Sequence, residues 1–201
     1  YRDLPIMFRR DEGSLADVVK QLAQVPLLCQ PGSQWNYSVA TDVLGRLVEV
    51  WSGLSLAEFF AQRIFAPLQM RDTAFSVAEQ NQPRFAALYA PKVGGDMSSI
   101  GGTTESVPQD MRGGLRLVEG SEDSVYFKDV ASCSGGGGLV STAGDYARFC
   151  QMLINFGQLE GERLLAPSTV RYMRTNQLPN NSDMAGMGQP VWSETSYDGI
   201  G

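Results

Sequence analysis

Three times along this chain a Ser or Thr stands three residues ahead of an acid and opens an apolar run: Ser14 with Asp17, Ser55 with Glu58, and Thr142 with Asp145. At that spacing the hydroxyl accepts a free amide of the first helical turn, and the carboxylate can return to the cap residue's own N–H. The pattern therefore marks three helix starts. Behind Ser14, Leu15, Val18, Val19 and Leu22 share one helical face, and Pro26 ends the run. Behind Ser55, Leu56, Phe59, Phe60, Ile64 and Phe65 lead to Pro67. Behind Thr142, Tyr146, Phe149, Met152 and Leu153 lead to Gly157, a natural stop.

Two more helices follow from periodicity. Val43, Leu44, Leu47, Val48 and Trp51 predict a helix over about 37–51, with Gly53 as its stop and Trp51 in the core. Pro167-Ser168 opens another, to about Thr175. Strand signals are short: an extended stretch at 72–77, candidates at 85–89, 115–118 and 125–127, and a tight turn within 159–164 joining two short strands. Gly94-Gly95 and Gly101-Gly102 punctuate an irregular region, and from Leu178 the sequence reads as loop. No internal repeat is present. The expectation is a helix-rich segment with no large sheet of its own.

Composition narrows the chemistry. With 43% hydrophobic and 19% charged residues the chain is globular rather than disordered. A formal net charge of −6 speaks against a nucleic-acid partner, and Arg9-Arg10 reads as a solvated pair. No apolar run is long enough to span a bilayer. Cys29, Cys133 and Cys150 are odd in number and widely spaced, so they read as reduced, buried residues rather than a disulfide framework. That usage favours a cytoplasmic setting and leaves a periplasmic one open. Without histidine or a close cysteine pair, no metal site and no cofactor is expected. The missing histidine also removes the commonest general base.

Another base must then serve any acid–base chemistry. Pro31-Gly32-Ser33-Gln34-Trp35-Asn36-Tyr37-Ser38 turns the chain and delivers Tyr37 where a helix begins. An unperturbed phenol titrates near ~10 and is a poor base at neutral pH. A helix N-terminus, carrying roughly half a positive charge, and a nearby cation both lower that value. Taken alone, Tyr37 reads more simply as an amphipathic residue at a helix start. Ser38 reads as a hydroxyl capping that start, and Trp35 as a wall of core or cleft.

The motif and its continuation, Val39-Ala40-Thr41-Asp42-Val43-Leu44-Gly45, resemble the second active-site motif of the beta-lactamase-related serine hydrolases, which include class C beta-lactamases, D-Ala-D-Ala carboxypeptidases and family VIII carboxylesterases. Two further blocks agree in order. Ile64-Phe65-Ala66-Pro67-Leu68-Gln69-Met70-Arg71-Asp72-Thr73 resembles their F-x-P-L-G-M-x-D-T stretch, with Gln69 where Gly is usual. Residues 134–149 resemble their S-G-G-G-G-L-V-S-T-A-x-D-Y-x-R-F stretch. The resemblance implies an α+β, beta-lactamase/transpeptidase-like fold, of which this segment is mainly the helical part. It makes Tyr37 the residue that works with a lysine to activate a serine nucleophile and then returns the proton. It places Trp35, Ser38, Ser134, Gly135 and Gly136 near the substrate.

Departures from the family pattern shape the functional expectation. The third motif position is Val39, which cannot hydrogen-bond a substrate amide as asparagine can. That fits the Tyr-Ser-x pattern of the esterases. Ser-x-x-Lys is absent: Asp17, Tyr89 and Val125 stand three residues before Lys20, Lys92 and Lys128. No Lys-Thr-Gly, His-x-Gly or Trp-x-Gly is present either. These absences, with ends at Tyr1 and Gly201, lead us to expect that 1–201 is the central segment of a single domain, incomplete at both ends and inactive alone. Gly135 to Gly138 lack the lysine of a phosphate loop and the spacing of a dinucleotide fingerprint. Close packing is the favoured reading of that run, with cleft lining the other.

The function expected is hydrolysis of a small-molecule ester, with beta-lactam amides as lesser substrates, through an acyl-enzyme. The oxyanion hole is expected outside these residues. The alternatives are a non-catalytic binding or regulatory protein on the same fold, or a D-Ala-D-Ala carboxypeptidase-type amide hydrolase. Oligomeric state is left open.

Overall fold

The computed structural model describes residues 13–36, 38–91, 115–120, 122 and 124–183. The chain divides into two compact units. The first comprises Tyr1–Pro26, Ser38–Gln82 and Val125–Thr175, and the second Leu27–Tyr37, Pro83–Ser124 and Asn176–Gly201.

The first unit is built on the three capped helices. Helix α1 (Leu15–Leu22) starts at Ser14 in a complete capping box: Asp17 N donates to Ser14 Oγ at 3.2 Å, and Ser14 N donates to Asp17 Oδ2 at 3.0 Å. Its Leu15 and Val18 are buried. Helix α2 (Ala40–Ser52) closes on Gly53, which takes φ 73° and returns its N–H to Glu49 O. Helix α3 (Leu56–Phe60) repeats the box with Ser55 and Glu58. It then widens into a single π turn (Ala61–Phe65), so that Ala66 N donates to Ala61 O at 2.9 Å. Gln69 follows at φ 54°, the left-handed conformation in which glycine is the easy residue.

Helix α4 (Ala143–Ile154) starts at Thr142, whose Oγ1 accepts from Asp145 N at 3.1 Å. Here the acid does not return to its own cap. Asp145 is buried and accepts from Asp72 N and from Thr73 Oγ1, both at 2.8 Å. Beside this latch, Ala74 and Val140 form an antiparallel bridge. The extended stretch expected at 72–77 is thus one bridge long. Farther on, β3 (Gln158–Leu159) and β4 (Glu162–Arg163) pair antiparallel around Glu160 and Gly161. Both turn residues have positive φ, as a twisted two-residue hairpin requires. Helix α5 (Pro167–Met173) ends two residues earlier than the sequence implied.

Two clusters hold this unit together. Leu68, Met70, Met152 and Leu159 are buried together, with Ile64, Phe65, Phe149 and Leu165 packed around them. Leu15, Leu56 and Phe75 form the other, with Val48, Phe60 and Cys133 against it. Phe60 and Phe75 stack at 6.0 Å between centroids.

In the second unit, β1 (Leu88–Pro91) pairs antiparallel with β2 (Leu115–Glu119), with a register shift between Leu88 and Tyr89. β1 begins three residues later than the 85–89 reading. The paired glycines at 94–95 and 101–102 lie outside the described residues.

Further expectations change. Helix α2, expected from about residue 37, begins at Ala40. Trp51 is not core: it is 77% exposed, and Leu44 is 58% exposed. The face of α2 turned inward carries Asp42 and Gly45 instead. At 3.6 residues per turn, Leu44 and Trp51 lie about 100–120° around the helix from Gly45. Residues 125–127, a strand candidate, form a short 3-10 turn (Val125–Phe127). The three cysteines are half-buried rather than buried.

Candidate active site at the start of helix α2

The backbone approaching α2 shows how a sequence turn becomes a positioned segment. In the second unit Gly32 takes φ 83°, and Ser33 donates both its N–H (3.0 Å) and its hydroxyl (2.7 Å) to Gln30 O. Trp35 is half-buried, and Asn36 Nδ2 donates to Cys29 Sγ at 3.5 Å. Tyr37, the candidate base, lies outside the described residues. In the first unit Ser38 Oγ accepts from Ala40 N at 3.2 Å, which is a capping use of that hydroxyl. Val39 occupies the N-cap and offers no side-chain hydrogen bond.

Residues 134–136 meet the first turn of α2. Ser134 Oγ donates to Asp42 Oδ1 at 2.6 Å. Gly136 N reaches the same oxygen at 3.3 Å and Ser134 Oγ at 3.1 Å. Asp42 is only 4% exposed, and among the described residues no salt bridge reaches it. Its charge is held by hydrogen bonds within the unit, and it complements the positive end of the α2 dipole. The single hydrogen of the Ser134 hydroxyl is directed to Asp42.

The glycines of the run have separate reasons to be glycine. A Cβ on Gly135 would lie 2.2 Å from Thr41 O, so loop and helix backbones touch there. A Cβ on Gly136 would lie 2.8 Å from Thr41 Oγ1 and 3.1 Å from Asp42 Oδ2. Gly45, one helical turn along, faces the same contact: its Cβ would meet Gly135 Cα at 3.2 Å and Leu56 Cδ2 at 3.0 Å. Gly138 needs its positive φ of 90°. Gly137 needs neither, since a Cβ there meets nothing within 4 Å.

Sequence reasoning singled out Ser134, Gly135 and Gly136, and the structure brings these three onto one turn of α2. It missed Asp42, the residue they converge on. The available signal was geometric: Asp42 and Gly45 are three apart, share a helical face, and interrupt the apolar stripe beside them. No group of three potential metal ligands is present among the described residues. No helix there is long and apolar enough to cross a membrane.

Comparison with known proteins gives the family. A family model described as Beta-lactamase matches residues 1–198. Protein Rv1367c of Mycobacterium tuberculosis is 34% identical over 172 residues, which is 85% of this chain and 38% of that protein. Esterase EstB of Burkholderia gladioli is 34% identical over 134 residues, 67% of this chain and 33% of the esterase. Among solved structures, "EstCE1, a hydrolase with promiscuous acyltransferase activity" superposes with a TM-score of 0.60 at 27% identity, covering 82% of this chain and 41% of that one. The chain thus spans well under half the length of the curated relatives it matches.

Proposed function

This chain belongs to the beta-lactamase family of serine hydrolases and has the α+β fold of that family, and we propose that the polypeptide it forms part of cleaves carboxylic esters through an acyl-enzyme. Residues 1–201 are the central segment of one such domain in this reading. The observation that carries it is the start of α2 at Ala40, three residues after Tyr37 in a Tyr-Ser-Val motif. A helix start there supplies the partial positive charge that a phenolate base needs.

Tyr37 takes the proton of a serine hydroxyl as that oxygen bonds to the ester carbonyl carbon. The tetrahedral intermediate collapses, the alkoxide leaves, and Tyr37 returns the proton to it. A water then attacks the acyl carbon, giving a proton to Tyr37; the serine–acyl bond breaks, the acid leaves, and Tyr37 returns the proton to the serine oxygen. The serine and its lysine are supplied from outside residues 1–201, which by themselves are inactive. Val39 supports esters over amides, because its side chain presents no partner to an amide. The description of EstCE1 supports a second use of the same intermediate, capture by an alcohol in place of water.

The test is turnover of p-nitrophenyl butyrate by the full-length polypeptide. Tyr37→Phe is expected to lower kcat by about 10²–10⁴-fold, the usual worth of general-base catalysis. Near-normal turnover by the Phe variant would remove Tyr37 from the mechanism.

A further inference from the structure

We propose that α2 has a second packing face, an apolar stripe on the side away from its core contact, and that the part of the full-length polypeptide outside residues 1–201 packs onto it. This rests on the reading of residues 1–201 as a central segment and is independent of the role assigned to Tyr37.

At about 100° per residue, Val43, Leu44, Leu47, Val50 and Trp51 fall within about 120° of the circumference of α2. The other residue of the helix in that arc is Ala40, so no polar or charged side chain interrupts it. Leu44, Val50 and Trp51 are 58%, 57% and 77% exposed, and Val43 and Leu47 are half-buried. The far side of the same helix is already used. Asp42 and Gly45 are buried there, and Val48 packs against Leu15, Leu56 and Phe75. A helix that is apolar on both sides has the pattern of one enclosed within a larger core. Three kinds of occupant suit such a stripe. The helix has 13 residues, so the stripe is about 20 Å long and about 10 Å wide. That is far below the ~800 Å² each partner gives to a stable association, which counts against a second copy of the chain. A tethered segment needs less area, because the chain itself sets its effective concentration. Helices that lie on membrane surfaces are rich in Lys and Arg on their polar side. Helix α2 has one cation, Arg46, and it is paired with Glu49 at 2.9 Å. The occupant these observations favour is the same polypeptide. Protein Rv1367c and Esterase EstB are matched over 38% and 33% of their lengths, so more than half of each relative lies outside the matched stretch.

Photo-crosslinking in the full-length polypeptide identifies the occupant. p-Benzoylphenylalanine is placed at position 51 and, in a second variant, at position 44, and the crosslinked peptides are read by mass spectrometry. The expected product keeps the monomer mass and joins the probe to a residue outside 1–201, in a yield independent of protein concentration. A product of dimer mass, a crosslink confined to residues 1–201, or no crosslink to protein overturns the inference. Circular dichroism shows which variants fold, and position 44 decides if the probe at 51 is not tolerated. Stability gives a separate reading. Leu44→Asp should lower the urea midpoint of the full-length polypeptide by about 1 M, as for a covered position. Gln62→Asp, at an exposed position, should shift it by less than about 0.3 M. Equal midpoints for the two variants overturn the inference. If Leu44→Asp does not fold, Leu44→Ala is compared with Gln62→Ala in the same way. A full-length polypeptide without ester turnover that gives the expected crosslink overturns the proposed function and leaves this inference standing. Turnover without that crosslink overturns this inference alone.

Discussion

Replacing Gly135 by alanine tests the loop contact most directly. The added Cβ would sit 2.2 Å from Thr41 O, 3.0 Å from Thr41 C and 3.2 Å from Asp42 Cα, all backbone atoms of a helix. Ordinary contact begins near 3.4 Å, so loop and helix must separate by about 1 Å. Overpacking of this kind costs about 1–3 kcal/mol. The same displacement stretches the Ser134–Asp42 bond from 2.6 Å beyond hydrogen-bond range. Loss of a bond to a buried carboxylate adds about 1.5–3 kcal/mol. The expected destabilisation is therefore about 2.5–6 kcal/mol. Gly137→Ala is the matched control, two residues along, with nothing within 4 Å of its Cβ. It should stay within about 0.5 kcal/mol of wild type. Urea unfolding of the full-length protein, followed by far-ultraviolet circular dichroism, reads both. A Gly135→Ala midpoint equal to wild type, or equal losses at the two positions, would refute the argument that close approach requires glycine at 135.

Other elements of the first unit make their own predictions. Asp145→Ala leaves Asp72 N and the Thr73 hydroxyl without their acceptor, and should destabilise by about 3 kcal/mol in the same urea assay, more than Thr142→Ala, which removes one cap bond worth about 1 kcal/mol. The capping-box carboxylates of Asp17 and Glu58 titrate below their ordinary 3.8 and 4.5, held down chiefly by the Ser14 and Ser55 hydroxyls. A depressed folded pKa means their contribution is present above the unfolded values and is lost as pH falls through the folded ones, so α1 and α3 should weaken below about pH 4. Carboxyl-carbon NMR titration checks this: the Asp17 and Glu58 midpoints should rise in Ser14→Ala and Ser55→Ala respectively. Glu160 is likewise held low by Arg148, and its midpoint should rise in Arg148→Gln.

The parts of this protein that were legible in its sequence are those governed by contacts three or four residues apart. Ser14, Ser55 and Thr142 start helices because each hydroxyl reaches an amide within its own turn. The Glu160-Gly161 hairpin is equally local. The family is legible for a different reason: its three blocks preserve side chains whose roles depend on identity, not on what surrounds them.

Tertiary structure decided the rest. By periodicity the whole apolar stripe of α2 pointed inward, yet the helix buries Asp42 and Gly45 against the backbone at Gly135, keeps Val48 on the core, and leaves Leu44 and Trp51 exposed. The acid of Thr142-x-x-Asp145 was expected to serve its own helix, but Asp72 and Thr73 reach it first. Residues 125–127 carry strand-forming side chains and still form a 3-10 turn. In each case the deciding contact joins residues many tens of positions apart, or, as at 125–127, the local preference is too weak to prevail. Sequence alone determined where the three capped helices begin and which family the chain resembles. Which face each helix buries, and that Ser134 and Asp42 meet, followed only when the chain was packed.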